Sequence, residues 1–213
     1  MKKIVAVIFD VDGTLTEGVS WTTLTEQMGA SKAEHMVIFE AFGKGEISYP
    51  EAKRSLLDLW QKTGNANKQF IEAAFARLPI RKEAPSVISW LKEQGYIICL
   101  ITGSMNVYAG QVAERLGVEH WYANTELIFD AGGELVDFNY ELDQSPKKLE
   151  HFNEFCEAME VDPTDCLMVG DSDNDIHLFE VTGNGVLIGD NFHLIPKAKH
   201  VIQNLNELKP ILG

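Results

Sequence analysis

Apolar and polar positions change their period along this chain, and the changes divide it into elements. Ile4 to Phe9 is an almost unbroken β-favouring run, the pattern of a central parallel strand covered on both faces. Tyr96 to Ile101, Cys166 to Val169 and Gly185 to Ile188 repeat it, and His200 to Ile202 is a weaker fifth run. Between most of these the period lengthens to that of a helix. Pro85 to Gln94 carries Val87, Ile88 and Leu91 and stops at Gly95; Asn106 to Leu116 stops at Gly117; Lys148 to Met159 carries Phe152, Phe155 and Met159 at helical spacing. Strand and helix in alternation predict an α/β fold with a doubly wound parallel sheet, in which a ligand sits at the carboxyl ends of the strands.

Two stretches break the alternation. Between the first strand and Pro85 no strand is convincing, but amphipathic segments recur at Trp21 to Met28, Ala33 to Phe42, Tyr49 to Trp60 and Lys68 to Leu78, with Ser48 and Glu51 placed as a capping box for the third. This reads as a helical insertion above the sheet, with Trp21, Phe39, Phe42 and Trp60 as its core first and a pocket wall second. Asn124 to Tyr140 has Gly132-Gly133 between two β-favouring arms and reads as a hairpin. The expected organisation is a core of residues 1–15 and 81–213 and a cap of residues 16–80.

Candidate chemistry gathers where strands are predicted to end. Asp10-Val11-Asp12-Gly13-Thr14 follows the first strand, and residues i and i+2 of a strand end can enter one mouth. Two acids side by side repel unless a cation or a shared proton separates their states; alone, the motif reads first as an Asx-type turn capping the next segment. Thr102-Gly103-Ser104 follows the second strand and offers N–H groups and a hydroxyl to an anion, although Thr and Ser are ordinary helix caps too. Gly170-Asp171-Ser172-Asp173-Asn174-Asp175 follows the third, a set of hard oxygen donors suited to magnesium. An EF-hand loop is excluded by Ile176, which stands where that loop needs glycine. Lys147 and Lys148 open the helix before this strand, where a cation opposes the helix dipole; a solvated lysine is the bland account, a fixed donor for an anion the other.

The bulk properties narrow the partners. A formal charge of -14 and a pI near 4.8 leave no basic field for a nucleic-acid backbone or an anionic membrane, so neither is expected as a partner. Anionic phosphate esters remain compatible only if the site brings its own positive charge. Cys99, Cys156 and Cys166 form no CxxC pair, which argues against a disulfide framework or thiolate zinc site and for a reducing cytoplasm. The run at the N-terminus is too short for a signal peptide or a membrane span. No spacing among the six histidines suggests a metal site.

Each feature alone is weak; their order is not. Two acids after strand one, a Thr-Gly turn after strand two, a lysine heading a helix and an acidic cluster after strand three resemble the four motifs of the haloacid-dehalogenase superfamily, at Asp10 and Asp12, Thr102, Lys148, and Asp171 with Asp175. The helical insertion, Leu116-Gly117, Tyr122-Ala123-Asn124 and the hairpin resemble its phosphoserine phosphatase-like members. The resemblance implies a Rossmannoid core with a helical cap, Mg2+ as cofactor, and hydrolysis of a small phosphorylated metabolite through an aspartyl phosphate on Asp10. It implies Asp12 as proton donor and acceptor; Asp10, Asp171 and the backbone carbonyl of Asp12 as metal ligands; Thr102, Gly103, Lys148 and Asn174 around the phosphoryl oxygens; and Asp175 behind Lys148 or a metal-bound water. Lys148 is preferred to Lys147 because Phe152 and Phe155 then fall at the right apolar offsets. The glutamate that reads the amino-acid part of phosphoserine aligns with Val19, with Glu17 displaced from it, and Arg54 is the cap arginine available to a substrate carboxylate. Phosphotransfer to a second metabolite, or a non-catalytic aspartyl-phosphate switch, would use the same motifs.

Overall fold

The computed structural model describes residues 3–213. Among them, one sheet runs in the order β4-β3-β2-β1-β5-β6-β7. Its strands are β1 (Ala6–Phe9), β2 (Ile97–Met105), β3 (His120–Phe129), β4 (Leu135–Asn139), β5 (Cys166–Gly170), β6 (Gly185–Ile188) and β7 (His200–Ile202). All neighbours are parallel except β3 and β4, the arms of the hairpin. The helices are α1 (Ser20–Gln27), α2 (Lys32–Gly43), α3 (Tyr49–Gln61), α4 (Lys68–Ala76), α5 (Ala84–Glu93), α6 (Asn106–Leu116), α7 (Gln144–Met159), α8 (Ile176–Thr182) and α9 (Leu208–Leu212). No helix among the described residues is long and apolar enough to cross a membrane.

The continuous apolar runs are explained by two cores, one on each face of the sheet. Val7 and Phe9 of β1, Leu100 of β2 and Val169 of β5 pack with α5, α6 and the inserted helices; Ala6, Ile8, Cys99, Ile101 and Met168 point the other way onto Phe152 and Phe155 of α7 and Phe179 of α8. Alternate residues of one strand thus serve different cores, and β1 and β5 are apolar on both faces. Each fully buried aliphatic or aromatic side chain contributes roughly 1.5–3 kcal/mol of transfer free energy.

Sheet order places the site. The chain leaves β1 first toward β2 and β3, then returns to the other side of β1 with β5, β6 and β7, so a switch in winding direction falls at β1. Phe9 pairs with Leu100 on one side and Val169 on the other, which brings the segments starting at Asp10, Thr102 and Asp171 to the same edge.

Helices α1 to α4 form the inserted cap. Its stem is closed by an antiparallel bridge between Thr16 and Ile80, and the Arg81 N–H donates to the Leu15 carbonyl at 2.9 Å. Its far side is tied to the hairpin: the Lys68 N–H donates to the Gly133 carbonyl at 2.7 Å and the Leu135 N–H to the Ala66 carbonyl at 2.8 Å. The Glu51 carboxylate accepts from both the N–H (2.8 Å) and the hydroxyl (2.7 Å) of Ser48, fixing the start of α3. Trp60 is fully buried and donates its indole N–H to Thr25 at 2.8 Å. Trp21 packs at ring-centroid distances of 6.0 Å from Trp60, 5.6 Å from Phe138 and 5.6 Å from Tyr140, joining cap to hairpin.

Three expectations are corrected. The second strand does not stop at Ile101: β2 continues through Thr102, Gly103 and Ser104 to Met105 with a register shift against β3, so the Thr-Gly pair lies in a bulged strand and not in a turn at a helix head. Helix α7 starts at Gln144 and not at Lys148, because its first turn is polar and carries no apolar period for a sequence reading to detect. Lys148 therefore lies in the second turn, clear of the helix head and most of its dipole. Phe39 is 57% exposed and is no part of a cap core.

The packing sets a contrast for equilibrium urea unfolding. Phe152→Ala, which empties a fully buried site on the helix that carries Lys148, is expected to cost about 3–5 kcal/mol. Phe39→Ala is expected to stay within about 0.5 kcal/mol of wild type.

Candidate active site

Two strand ends, the bulged stretch of β2 between Thr102 and Met105 and one helix converge. Lys148 shares a face of α7 with Phe152 and Phe155, whose burial carries the lysine inward until its side chain is 0% exposed. Its ammonium donates to Asp10 Oδ1 at 2.8 Å, Asn174 Oδ1 at 2.7 Å and Asp175 Oδ1 at 2.7 Å, which uses its three donors. Lys147, one residue earlier, pairs with Glu150 on the surface at 2.7 Å.

Asp175 is fully buried and lies in a single 3-10 turn, Asp173–Asp175. Its other oxygen accepts from the Ser172 N–H at 3.3 Å, and the Ser172 hydroxyl donates to Asn174 Oδ1 at 2.9 Å. Glycine is required at 170 because a Cβ there would collide with the Asp175 carboxylate. Gly13 is required twice over: its φ is +76°, and a Cβ would meet the Asp171 carboxylate. Asp171 accepts from the Thr14 hydroxyl at 3.0 Å, which ties the β5 loop to the β1 loop.

Asp12 faces a different partner. The N-cap position of α1 is Val19, which has no side-chain acceptor, and Asp12 takes over that task from a distance. It accepts from the Ser20 N–H at 3.2 Å and from the Ser20 hydroxyl at 2.6 Å, while that hydroxyl also makes a short contact with the Ser104 hydroxyl. The first cap helix is thus latched to the ends of β1 and β2 through Ser20, a residue without a motif to announce it. Tyr108 lies beneath, donating to Thr16 at 2.8 Å. Thr102 is buried, and its Oγ accepts from the Ser104 N–H at 3.2 Å. Gly103 leaves no room for a side chain beside Gln144, which Asn124 holds through hydrogen bonds of 2.7 and 3.0 Å.

Charge is unbalanced here. One oxygen from each of Asp10, Asp171 and Asp175 falls within 4.8 Å of the others, and Asp12 adds a fourth carboxylate nearby, against the single ammonium of Lys148. Burial raises Asp171 to about 8, with Asp10 and Asp175 pushing the same way. Burial raises Asp12 to about 6, the Ser20 hydrogen bond opposing and Asp10 adding to it. Burial also works against the Lys148 charge, but Asp10 and Asp175 outweigh it and hold its pKa above the ordinary value. A cluster of hard oxygens with an excess of negative charge is the donor set that a divalent cation of the magnesium kind satisfies.

A cavity of about 690 Å³ opens from these groups toward the cap, with Asp10, Asp12, Thr102, Gly103, Asp171 and Asn174 at its floor. Lys53, not Arg54, reaches the cavity; Arg54 is on the exposed side of α3, and Glu17 is exposed and lines a separate small pocket. Cys99, Cys156 and Cys166 are buried free thiols away from the cavity lining.

The chain is 24% identical over 183 residues to the phosphoserine phosphatase of Methanocaldococcus jannaschii, covering 85% of this chain and 84% of that protein. It is 26% identical over 198 residues to the phosphoglycolate phosphatase of Neisseria gonorrhoeae, covering 86% and 78%. The fold matches a substrate-bound phosphoserine phosphatase complex with a TM-score of 0.77 at 21% identity, and a phospho-aspartyl intermediate analogue of phosphoserine phosphatase with a TM-score of 0.76 at 22% identity, each covering 100% of both chains. Residues 4–183 match the family of haloacid dehalogenase-like hydrolases, and the chain belongs to that family.

Proposed function

We propose that this hydrolase is a magnesium-dependent phosphatase of small phosphomonoesters, with Asp10 as the nucleophile and a cytoplasmic setting. The observation that carries the reading is the contact of a fully buried lysine with Asp10 on the floor of a cavity large enough for an organic substrate. Magnesium fits the acidic floor; Asp10, Asp171 and the Asp12 backbone carbonyl would hold it, and when bound it neutralises charge on the phosphoryl oxygens.

The chain's own groups divide the remaining work. A carboxylate attacks a phosphate dianion only when the anion's charge is met, and Lys148 supplies a positive charge beside the attacking oxygen. Thr102, the Gly103 N–H and Asn174 receive the other phosphoryl oxygens. Asp10 attacks phosphorus and becomes an aspartyl phosphate as the leaving alkoxide takes a proton from Asp12; Asp12 then accepts a proton from the water that cleaves the acyl phosphate. Asp175 holds Lys148 in place through its 2.7 Å contact. We take residues 16–80 as the cap unit, closed at its stem by the Thr16–Ile80 bridge. A deep cavity beside Asp10 favours this reading over an aspartyl-phosphate switch, which has no use for one.

In a phosphate-release assay with Mg2+, Asp10→Asn is expected to lower kcat by at least about a thousandfold and Asp12→Asn by about 10²–10⁴-fold. Chelation of the metal is expected to abolish turnover and re-addition to restore it; turnover that survives chelation contradicts the metal assignment.

Lys148→Met is expected to lose activity and also about 3–5 kcal/mol of stability to urea, because Asp10 and Asp175 are left buried without their cation. Lys147→Met, losing only a surface pair, is expected to change stability by less than about 1 kcal/mol.

A further inference from the structure

Above the phosphate-handling floor the cavity changes character. Its upper wall is built from the rings of Trp21, Phe39, Phe42, Tyr49, Phe138 and Tyr140. The acids lining the cavity are Asp10, Asp12 and Asp171, all on the floor, so the cap presents no carboxylate to a substrate ammonium. The cap's one cation in the lining is Lys53, and it is already committed. It pairs with Asp137 at 2.6 Å and sits 5.6 Å from the centroid of Phe138 and 5.9 Å from that of Tyr49. His35 adds one imidazole, which burial keeps below its usual pKa, so it offers a hydrogen bond without charge.

The mouth continues the pattern. Val19 and Phe39 line the cavity and are also 53% and 57% exposed, giving the entrance an apolar rim. A zwitterionic leaving group such as that of phosphoserine would have to give up the hydration of an ammonium and a carboxylate to a wall of aromatic rings that offers the ammonium no carboxylate and the carboxylate only a lysine already paired with Asp137 and a neutral imidazole. The cavity, floor included, has a volume of about 690 Å³, within the range of sites for molecules of drug-like size.

We propose that the substrate is a phosphomonoester of an extended apolar or aromatic alcohol, uncharged beyond its phosphate, whose body fills the aromatic part of the cavity. The proposal rests on the Asp10 reading above for the phosphate end. It assigns substrate selection to the rings of the cap and hairpin, and it separates this chain from the phosphoserine phosphatases that it resembles.

The test is a kcat/KM series with the full chain and Mg2+ on ethyl, butyl, hexyl and 1-naphthyl phosphate, L-phosphoserine and phosphocholine. Each buried methylene is expected to add about three- to fourfold. Hexyl phosphate is therefore expected to exceed ethyl phosphate by about a hundredfold, and 1-naphthyl phosphate to exceed L-phosphoserine by at least about tenfold. Phe39→Ser, at the exposed rim, is expected to narrow the hexyl-to-ethyl ratio. L-phosphoserine or phosphocholine turned over better than the hexyl and naphthyl esters would overturn the proposal while leaving the Asp10 reading intact. If no ester is hydrolysed, the Asp10 reading fails, and the cavity is tested by calorimetric binding of hexylphosphonate and ethylphosphonate to wild type and Asp10→Asn. At least about tenfold tighter binding of the hexyl compound supports the proposal, and equal affinities overturn it.

Discussion

The ammonium of Lys148 lies in a place where a charge is costly, and the arrangement around it is what makes that place habitable. It is fully buried, and its donors are taken by Asp10, Asn174 and Asp175, which arrive from β1 and from the turn after β5. Remove the lysine and two carboxylates stand uncompensated in the interior; remove either carboxylate and the lysine loses one of its two direct counter-charges. Such a knot is weak as a source of net stability, because desolvation consumes most of the Coulombic gain, but it ties three distant segments into one geometry. The sheet order supplies the other half of the constraint by setting β1 between β2 and β5.

The cap is coupled to this knot by few links of different kinds. Asp12 serves as a surrogate cap for α1 through Ser20, so a carboxylate of the floor also orients the first helix of the lid. The rings of Trp21, Phe138 and Tyr140 join that same helix to the hairpin. The floor and the upper wall of the cavity therefore meet at α1, with polar contacts below and aromatic contacts above.

Much of this was legible in the sequence, for physical reasons that differ by element. Strands buried on both faces have no polar positions, so β1, β5 and β6 were readable as apolar runs close to their observed bounds. β3 is legible only in its hairpin arm, because from His120 to Ala123 it mixes exposed and half-buried positions and pairs parallel with β2 without a continuous apolar signature. The acids and Lys148 were identifiable because several chemical features recur in order at strand ends. Ser20 and Gln144 were not, since a single hydroxyl or amide acts here through a contact that no local spacing encodes. Arg54 and Lys53 show the limit of helical periodicity: neighbouring cations on α3, one toward solvent and one into the cavity, differ by a rotation that the apolar pattern marks only coarsely.

The most direct measurement is to find where phosphorus goes. After mixing the Mg2+-loaded protein with a turned-over phosphomonoester, quenching in acid and reducing the acyl phosphate with borohydride, peptide mass spectrometry reads the modified residue. The account predicts conversion of Asp10 alone, with no conversion in protein quenched without substrate. A modification at another residue, or steady turnover with none at Asp10 at any quench time, would contradict it.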